Sequence, residues 1–126
     1  MVIEIRDGSD VPIYLQLRNQ IVAGISDGRL APGERLPTVR ALAEELGVNV
    51  MTVNKAYQLL KQEGFLCTDR RNGARVRERP GEETGALPPE SVERLRILAA
   101  EARAWGMDRA DFLALCGQLY GKEEQL

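Results

Sequence analysis

No histidine occurs anywhere in this 126-residue chain. That removes the commonest general base and the commonest metal ligand, and an enzymatic reading loses its first support. The two cysteines, Cys67 and Cys116, fall in no CxxC or metal-like spacing. They read as buried small apolar residues of a reducing cytosol, not as a disulfide or a reactive thiol. Aromatic residues make up only 5% of the chain, so Leu, Val, Ile and Ala must supply most of the core. No apolar run is long enough to span a bilayer, and the N-terminus MVIEIRDGSD has no basic segment leading into an apolar one. The expected location is therefore the cytoplasm, with no membrane partner.

What the chain does contain is unevenly distributed. Formal net charge is −2, an unpromising value for a nucleic-acid binder. Residues 1–80, however, carry 12 Lys and Arg against 10 Asp and Glu, while residues 81–126 carry 5 against 9. The first part is thus +2 and the second −4. The stretch TDRRNGARVRER (68–79) alone holds five arginines and two acids. Charge of that kind on a small element points to a polyanionic partner.

Periodicity gives the elements. In PIYLQLRNQIVAGISDG, Tyr14, Leu17, Ile21 and Ile25 recur at helical spacing, with Asp10 as a candidate cap and Gly28 as a stop. Pro32-Gly33 is a turn signal, flanked by Leu30 and Leu36, which would tie the loop to the core. A short helix follows, capped by Thr38, with Val39, Leu42, Ala43 and Leu46 on one face and Gly47 as terminator. The next stretch, LGVNVMTVNKAY, is locally β-prone. Yet Val53, Ala56, Tyr57 and Leu60 keep helical spacing as far as Gly64, and Asn49 is a good N-cap, so 50–63 is expected to be helical. Helix, tight turn and helix make a helix-turn-helix. Two short runs around Asn72-Gly73, a two-residue hairpin signal, predict a β-hairpin, or wing.

Residues 80–90 (PGEETGALPPE) read as a linker. Beyond it, Val92, Leu95, Leu98, Ala102 and Trp105 form one helical stripe, and Phe112, Leu115 and Leu119 another. Asp108 would cap the second helix, with a Met107–Phe112 staple. Tyr14, Tyr57 and Trp105 are expected in the core. The fold class that emerges is mainly α with a small β-hairpin. It comprises a winged helix-turn-helix over 1–79, a linker over 80–90 and a two-helix tail over 91–126.

With Val53, Ala56, Tyr57 and Leu60 inward, helix 50–63 turns Thr52, Asn54, Lys55 and Gln62 outward. An α-helix fits the DNA major groove and meets base edges mainly through its N-terminal residues. Asn can pair with adenine, Lys with guanine, and Thr can meet a thymine methyl or a phosphate. Taken alone, this helix reads more economically as a solvated polar face. The capped helix before it and the arginine-bearing hairpin after it tip the balance. Arg40, in the first turn of its helix, is mildly unfavourable there without an anionic partner. Arg70, Arg71, Arg75 and Arg77, around the hairpin turn, would lie against phosphates or enter a minor groove. Asp108 and Asp111 are better explained as a cap than as an acid–base pair.

The segments PIYLQLRNQI, GRLAPGERLPTVRALAEELGVN and TVNKAYQLLKQEGF together resemble the GntR family of bacterial transcriptional regulators. The short chain and its two-helix tail resemble the small YtrA-like branch. The resemblance implies a winged helix-turn-helix that dimerises through its tail and usually represses transcription. The family's DNA-contacting positions fall on Arg40, Asn49, Thr52, Lys55 and Gly73. Two departures stand out. Asn49-Val50-Met51-Thr52 replaces the branch's frequent Asn-Pro-Asn-Thr, and Arg71-Asn72-Gly73-Ala74 replaces a wing with two glycines and a threonine. Base preferences therefore do not carry over. The expected partners are double-stranded DNA and a second copy of the chain, with no cofactor; an effector, if one exists, is not legible. The rival readings are a winged-helix module for protein or RNA contacts and, with little support, a small enzyme.

Overall fold

The computed structural model describes residues 2–69, 73–78 and 85–121. Among them lie helices α1 (Ile13–Ser26), α2 (Val39–Leu46) and α3 (Val50–Glu63), strands β1 (Leu66–Asp69) and β2 (Gly73–Val76), and helices α4 (Pro89–Ala104) and α5 (Arg109–Tyr120). The chain divides into two units, Met1–Thr84 and Gly85–Leu126. The protein is mainly α with one small antiparallel hairpin.

In the first unit, α1 contributes Leu17 and Ile21 to the core, α2 Leu42 and Ala43, and α3 Val53, Ala56, Tyr57 and Leu60. These are the i, i+3, i+4 and i+7 positions that the sequence pattern marks on α3, so long-range periodicity overrides the local β-propensity of Val50–Val53. Leu30 and Leu36 are buried as expected, and Leu66 and Val76 close the core from the hairpin. The Pro32-Gly33 turn forms, with Gly33 at φ +81° and the Glu34 N–H donating to the Ala31 carbonyl at 3.0 Å.

The helix-turn-helix corner depends on Gly47. It takes the left-handed conformation (φ +69°) that ends α2, and the Val48 N–H reaches back to the Ala43 carbonyl at 3.0 Å. One residue later Asn49 caps α3, its Oδ1 accepting from the Met51 N–H at 2.7 Å. Thr38 caps α2 in the same way, accepting from the Ala41 N–H.

Two features are absent from the sequence reading. The segment around Arg35 joins the sheet on the free side of β2. Leu36 N–H donates to the Ala74 carbonyl, Val76 N–H to the Glu34 carbonyl and Gly33 N–H to the Val76 carbonyl, each at 2.9 Å. The wing is therefore anchored from both edges of β2. The N-terminal segment is strapped along α1 by two glutamines. Gln20 Oε1 accepts from the Glu4 N–H (2.9 Å) while its Nε2 donates to the Glu4 carbonyl (2.6 Å). Gln16 does the same for Arg6 (2.8 and 3.0 Å) and adds a bond to the Val11 carbonyl.

Some expectations are corrected. Asp10 does not cap α1; Pro12 occupies the N-cap position, with no side-chain hydrogen bond. The hairpin is not closed by a two-residue Asn72-Gly73 turn. Asp69 pairs with Gly73, which puts Gly73 in the ladder and three residues, 70–72, between the paired ends. Cys67 and Cys116 are both half-buried rather than buried.

In the second unit, Asp108 caps α5 through a long bond (3.4 Å) to the Ala110 N–H, and Met107 and Phe112 are both half-buried, as a staple requires. Asp111 makes no reciprocal bond to the cap among the described residues. Neither α4 nor α5 has a buried residue. Trp105, expected in the core, is 90% exposed at the end of α4. An apolar stripe was legible there, but two helices have no third surface to close over it.

Candidate nucleic-acid interface

The first two and a half turns of α3 present an outward polar surface. Asn49, Met51, Asn54, Lys55 and Gln58 are exposed, while Thr52 is half-buried and so less available than its polar character suggests. Asn49 spends its Oδ1 on the helix cap. A bidentate grip on adenine uses both amide atoms, so Asn49 would share its Oδ1 between the cap and the base, while its NH₂ is uncommitted. Asn54 is exposed and has no such commitment, which leaves both its amide atoms for a base edge.

Lys55 does not stand free in solvent. Its Nζ lies 4.1 Å from the centroid of the Tyr14 ring, a cation–π contact that crosses from α3 to the first turn of α1. Tyr14, half-buried against the core, thereby fixes the direction of the ammonium. Tyr14, Asn49, Met51, Thr52, Asn54 and Lys55 line one shallow depression of about 480 Å³. On the other side of α3 runs a wider groove of about 600 Å³. Arg35 and Thr38 lead into α2 on one wall of it, Asn54 and Gln58 come from α3, and Thr68 and Gly73 come from the wing. Gln58, one helical turn beyond Asn54, was missed by sequence reasoning, although the i, i+4 spacing carries the signal.

Behind the groove, the Tyr57 hydroxyl donates to the Pro37 carbonyl at 2.7 Å and ties α3 to the approach of α2. Burial, aided by the nearby Glu45 carboxylate, pushes the Tyr57 phenol above its ordinary range, so it stays protonated as a donor. At the far end of α3, Arg18 forms a two-pronged ion pair with Glu63 (2.9 and 3.1 Å), and its guanidinium lies 5.7 Å from the Phe65 ring centroid. These contacts tie α3 to α1 at its far end.

Arg40 is exposed at the second position of α2, whose first turn holds no acid. Gly73 is exposed and opens β2 at φ +66°. Arg75 is half-buried in β2, opposite Cys67. Arg77 is drawn away from the tip, its Nη1 lying 3.6 Å from where a Gly64 β-carbon would stand at the end of α3. Arg70 and Arg71 lie outside the described residues.

Residues 13–76 match the family described as bacterial regulatory proteins, gntR family. The chain belongs to the GntR family. It is 37% identical over 100 residues to the HTH-type transcriptional regulator Rv1152 of Mycobacterium tuberculosis, a match covering 79% of this chain and 78% of that protein. To the HTH-type transcriptional repressor YtrA of Bacillus subtilis it is 39% identical over 77 residues, covering 61% of this chain and 59% of YtrA. Among solved structures, a transcriptional antiterminator from Listeria monocytogenes superposes with a TM-score of 0.82 at 25% identity, covering 96% of this chain and 91% of that one. YtrA from Sulfolobus acidocaldarius, a GntR-family transcription factor, gives 0.63 at 37% identity, covering 81% and 99%. The DNA-binding domain of AraR in complex with operator ORX1 gives 0.54 at 26% identity, covering 60% and 98%. This GntR-family chain is accordingly a helix-turn-helix transcriptional regulator, and its relatives are regulators rather than enzymes. No helix among its described residues is long and apolar enough to cross a membrane.

Proposed function

We propose that this protein is a cytoplasmic, homodimeric repressor that binds a pseudo-palindromic operator. The N-terminal turns of α3 enter the major groove in each half-site, with half-site centres about 34 Å apart. Asn54 and Lys55 meet base edges, and Asn49 and Thr52 meet bases or phosphates beside them. Arg40 takes a backbone phosphate, and the wing, through Arg70, Arg71, Gly73 and Arg75, lies along the flanking backbone. The α4–α5 hairpin joins the two copies.

The observation that carries this reading is the groove between α3 and the wing. Exposed Asn54 and Gln58 line it on a helix tied to α1 by Lys55–Tyr14 in its first half and by Arg18–Glu63 at its end. A rigid polar helix face with a strand pair beside it is what duplex reading demands. The repressor role rests on the likeness to YtrA and on geometry, since a dimer seated across a promoter excludes other proteins.

The test is enrichment of genomic duplex fragments on the purified full-length protein, followed by a salt titration of the retained site. Selective retention of fragments sharing an inverted repeat is expected, with affinity falling steeply as salt rises. Retention without sequence preference would leave a module for protein or RNA contacts as the better reading.

A further inference from the structure

The N-terminal turn of α3 carries an apolar tip that hydrogen-bonding readout does not use. Val50 is 45% exposed and Met51 76% exposed, at the first and second positions of the helix. Single exposed apolar side chains are ordinary on a protein surface. This pair is not scattered. Among the described residues of the first unit, the only other large apolar side chains so exposed are Val2 and Val11, in the N-terminal segment. The two on α3 are adjacent, and they stand between the Asn49 cap and Asn54, at the end of the helix that enters the groove in the reading above. Met51 also lines the same depression as Asn54 and Lys55.

The edges of the four bases in the major groove offer donors and acceptors, and one apolar group, the C5-methyl of thymine. A methionine there has the reach and the polarisable, adaptable surface to cover such a methyl. A valine one position earlier widens the apolar footprint without adding a competing polar group. We infer that Met51, assisted by Val50, is a specificity-determining residue that reads the thymine C5-methyl in each half-site. The inference rests on the proposal that α3 reads duplex DNA, and it states which feature of the duplex this sequence selects. Asn54 and Lys55 supply polar contacts to neighbouring bases. Met51 contributes discrimination by excluding water from the methyl, a contact that cytosine and the purines do not match.

Replacing thymine by deoxyuridine removes the methyl and leaves every donor and acceptor in place, so it isolates this contact. The full-length protein is titrated against its enriched operator, and then against versions in which each thymine of one half-site is replaced singly by deoxyuridine, at fixed salt. Burial of one methyl group predicts a loss of about fourfold in affinity at one thymine, or at two adjacent ones. Met51→Ala should bind the unmodified operator correspondingly more weakly and be indifferent to the swap at that position. Val50→Ala should blunt the swap in part. Met51 is exposed and outside the core, so the variant keeps its fold, and an unchanged melting temperature verifies this. If no thymine is sensitive in the unaltered protein, or if Met51→Ala keeps the whole penalty, the inference falls while sequence-specific binding stands. If no duplex is selectively retained at all, the DNA-reading proposal falls with it.

Discussion

Lys55 has two partners in prospect, and the structure already supplies one. With its ammonium over the Tyr14 ring, the donors on the far side of the nitrogen remain available to a base or a phosphate, and the ring spares DNA the entropy of ordering a long side chain. Lys55→Ala is expected to cost about 1–3 kcal/mol of specific binding with little loss of stability. Tyr14→Leu should weaken operator binding by about 0.5–1 kcal/mol, while Tyr14→Phe, which keeps an aromatic face, should stay close to the unaltered protein. In a Lys55→Ala background the Tyr14→Leu effect on binding should vanish. A full effect persisting there, measured as Kd at fixed salt, would show that Tyr14 acts by another route. The same kind of reasoning applies to Tyr57, whose hydroxyl holds the Pro37 carbonyl. Its pKa is raised in the folded state, so the folded protein holds this proton more tightly than the unfolded chain does. The stability it contributes is complete below the ordinary tyrosine pKa of about 10 and declines as pH rises above that value. Tyr57→Phe should cost roughly 0.5–1.5 kcal/mol at neutral pH. It should also flatten the alkaline limb of a denaturation series measured up to pH 11. An alkaline limb of unchanged depth in the variant would assign the loss to other groups.

Elements separate into those legible from sequence and those that needed coordinates. α2 and α3 were legible because each carries its own punctuation, Thr38 and Gly47 for one, Asn49 and Gly64 for the other, and because Val53, Ala56, Tyr57 and Leu60 keep one period across the β-prone stretch. The wing was legible in kind but not in register, since a two-residue signal at Asn72-Gly73 does not reveal that Gly73 belongs to the ladder. Within the candidate site, Arg40, Asn49 and Lys55 could be placed by their distance from helix starts. The Tyr14–Lys55 contact could not, because it joins separate helices. The glutamine strap was invisible for a related reason. Two residues of extended chain advance about 6.6 Å and four residues of helix about 6 Å, so Gln16 and Gln20 match Arg6 and Glu4 in antiparallel register. Each side-chain amide then acts as a surrogate peptide group, with one acceptor and one donor. Nothing in Gln-x-x-x-Gln announces this. Gln20→Ala should free both backbone groups of Glu4 to water. Its Glu4 amide should exchange faster, with a stability loss of about 1 kcal/mol read by chemical denaturation. Gln20→Glu keeps the acceptor for the Glu4 N–H and should fall between the two. Equal protection of the Glu4 amide in all three proteins would mean that Ile3 packing and the Gln16 bonds hold the strap without Gln20.

At the scale of the whole molecule, charge and apolar surface are divided between two segments. The first 80 residues are net positive and enclose their own core, while the rest are net negative and, among the described residues, enclose none. A negative segment suits neither groove nor phosphate, so affinity for a polyanion must come from the first unit. The second unit instead displays Val92, Leu95, Ile97 and Leu98 on α4 and Leu113, Leu115 and Leu119 on α5, each at least 40% exposed, with Trp105 and Tyr120 nearly bare. Side chains of that size remain in water at a cost of about 1.5–3 kcal/mol each relative to full burial, so a hairpin carrying so many gains strongly from a covering surface. An isologous contact with a second copy is the commonest solution in a symmetric oligomer, and in the proposed function it joins the two reading heads. A fragment ending near Arg79, which retains the whole first core, should fold and sediment as a monomer, while the full-length chain sediments as a dimer at the same concentration. The fragment should keep its affinity for an isolated half-site. On the complete inverted repeat it should lose the ~10²–10⁴-fold advantage that linkage confers. Full-length protein that sediments as a monomer, or a fragment that still dimerises, would move the interface off the tail, and the 34 Å half-site spacing would then have no structural basis.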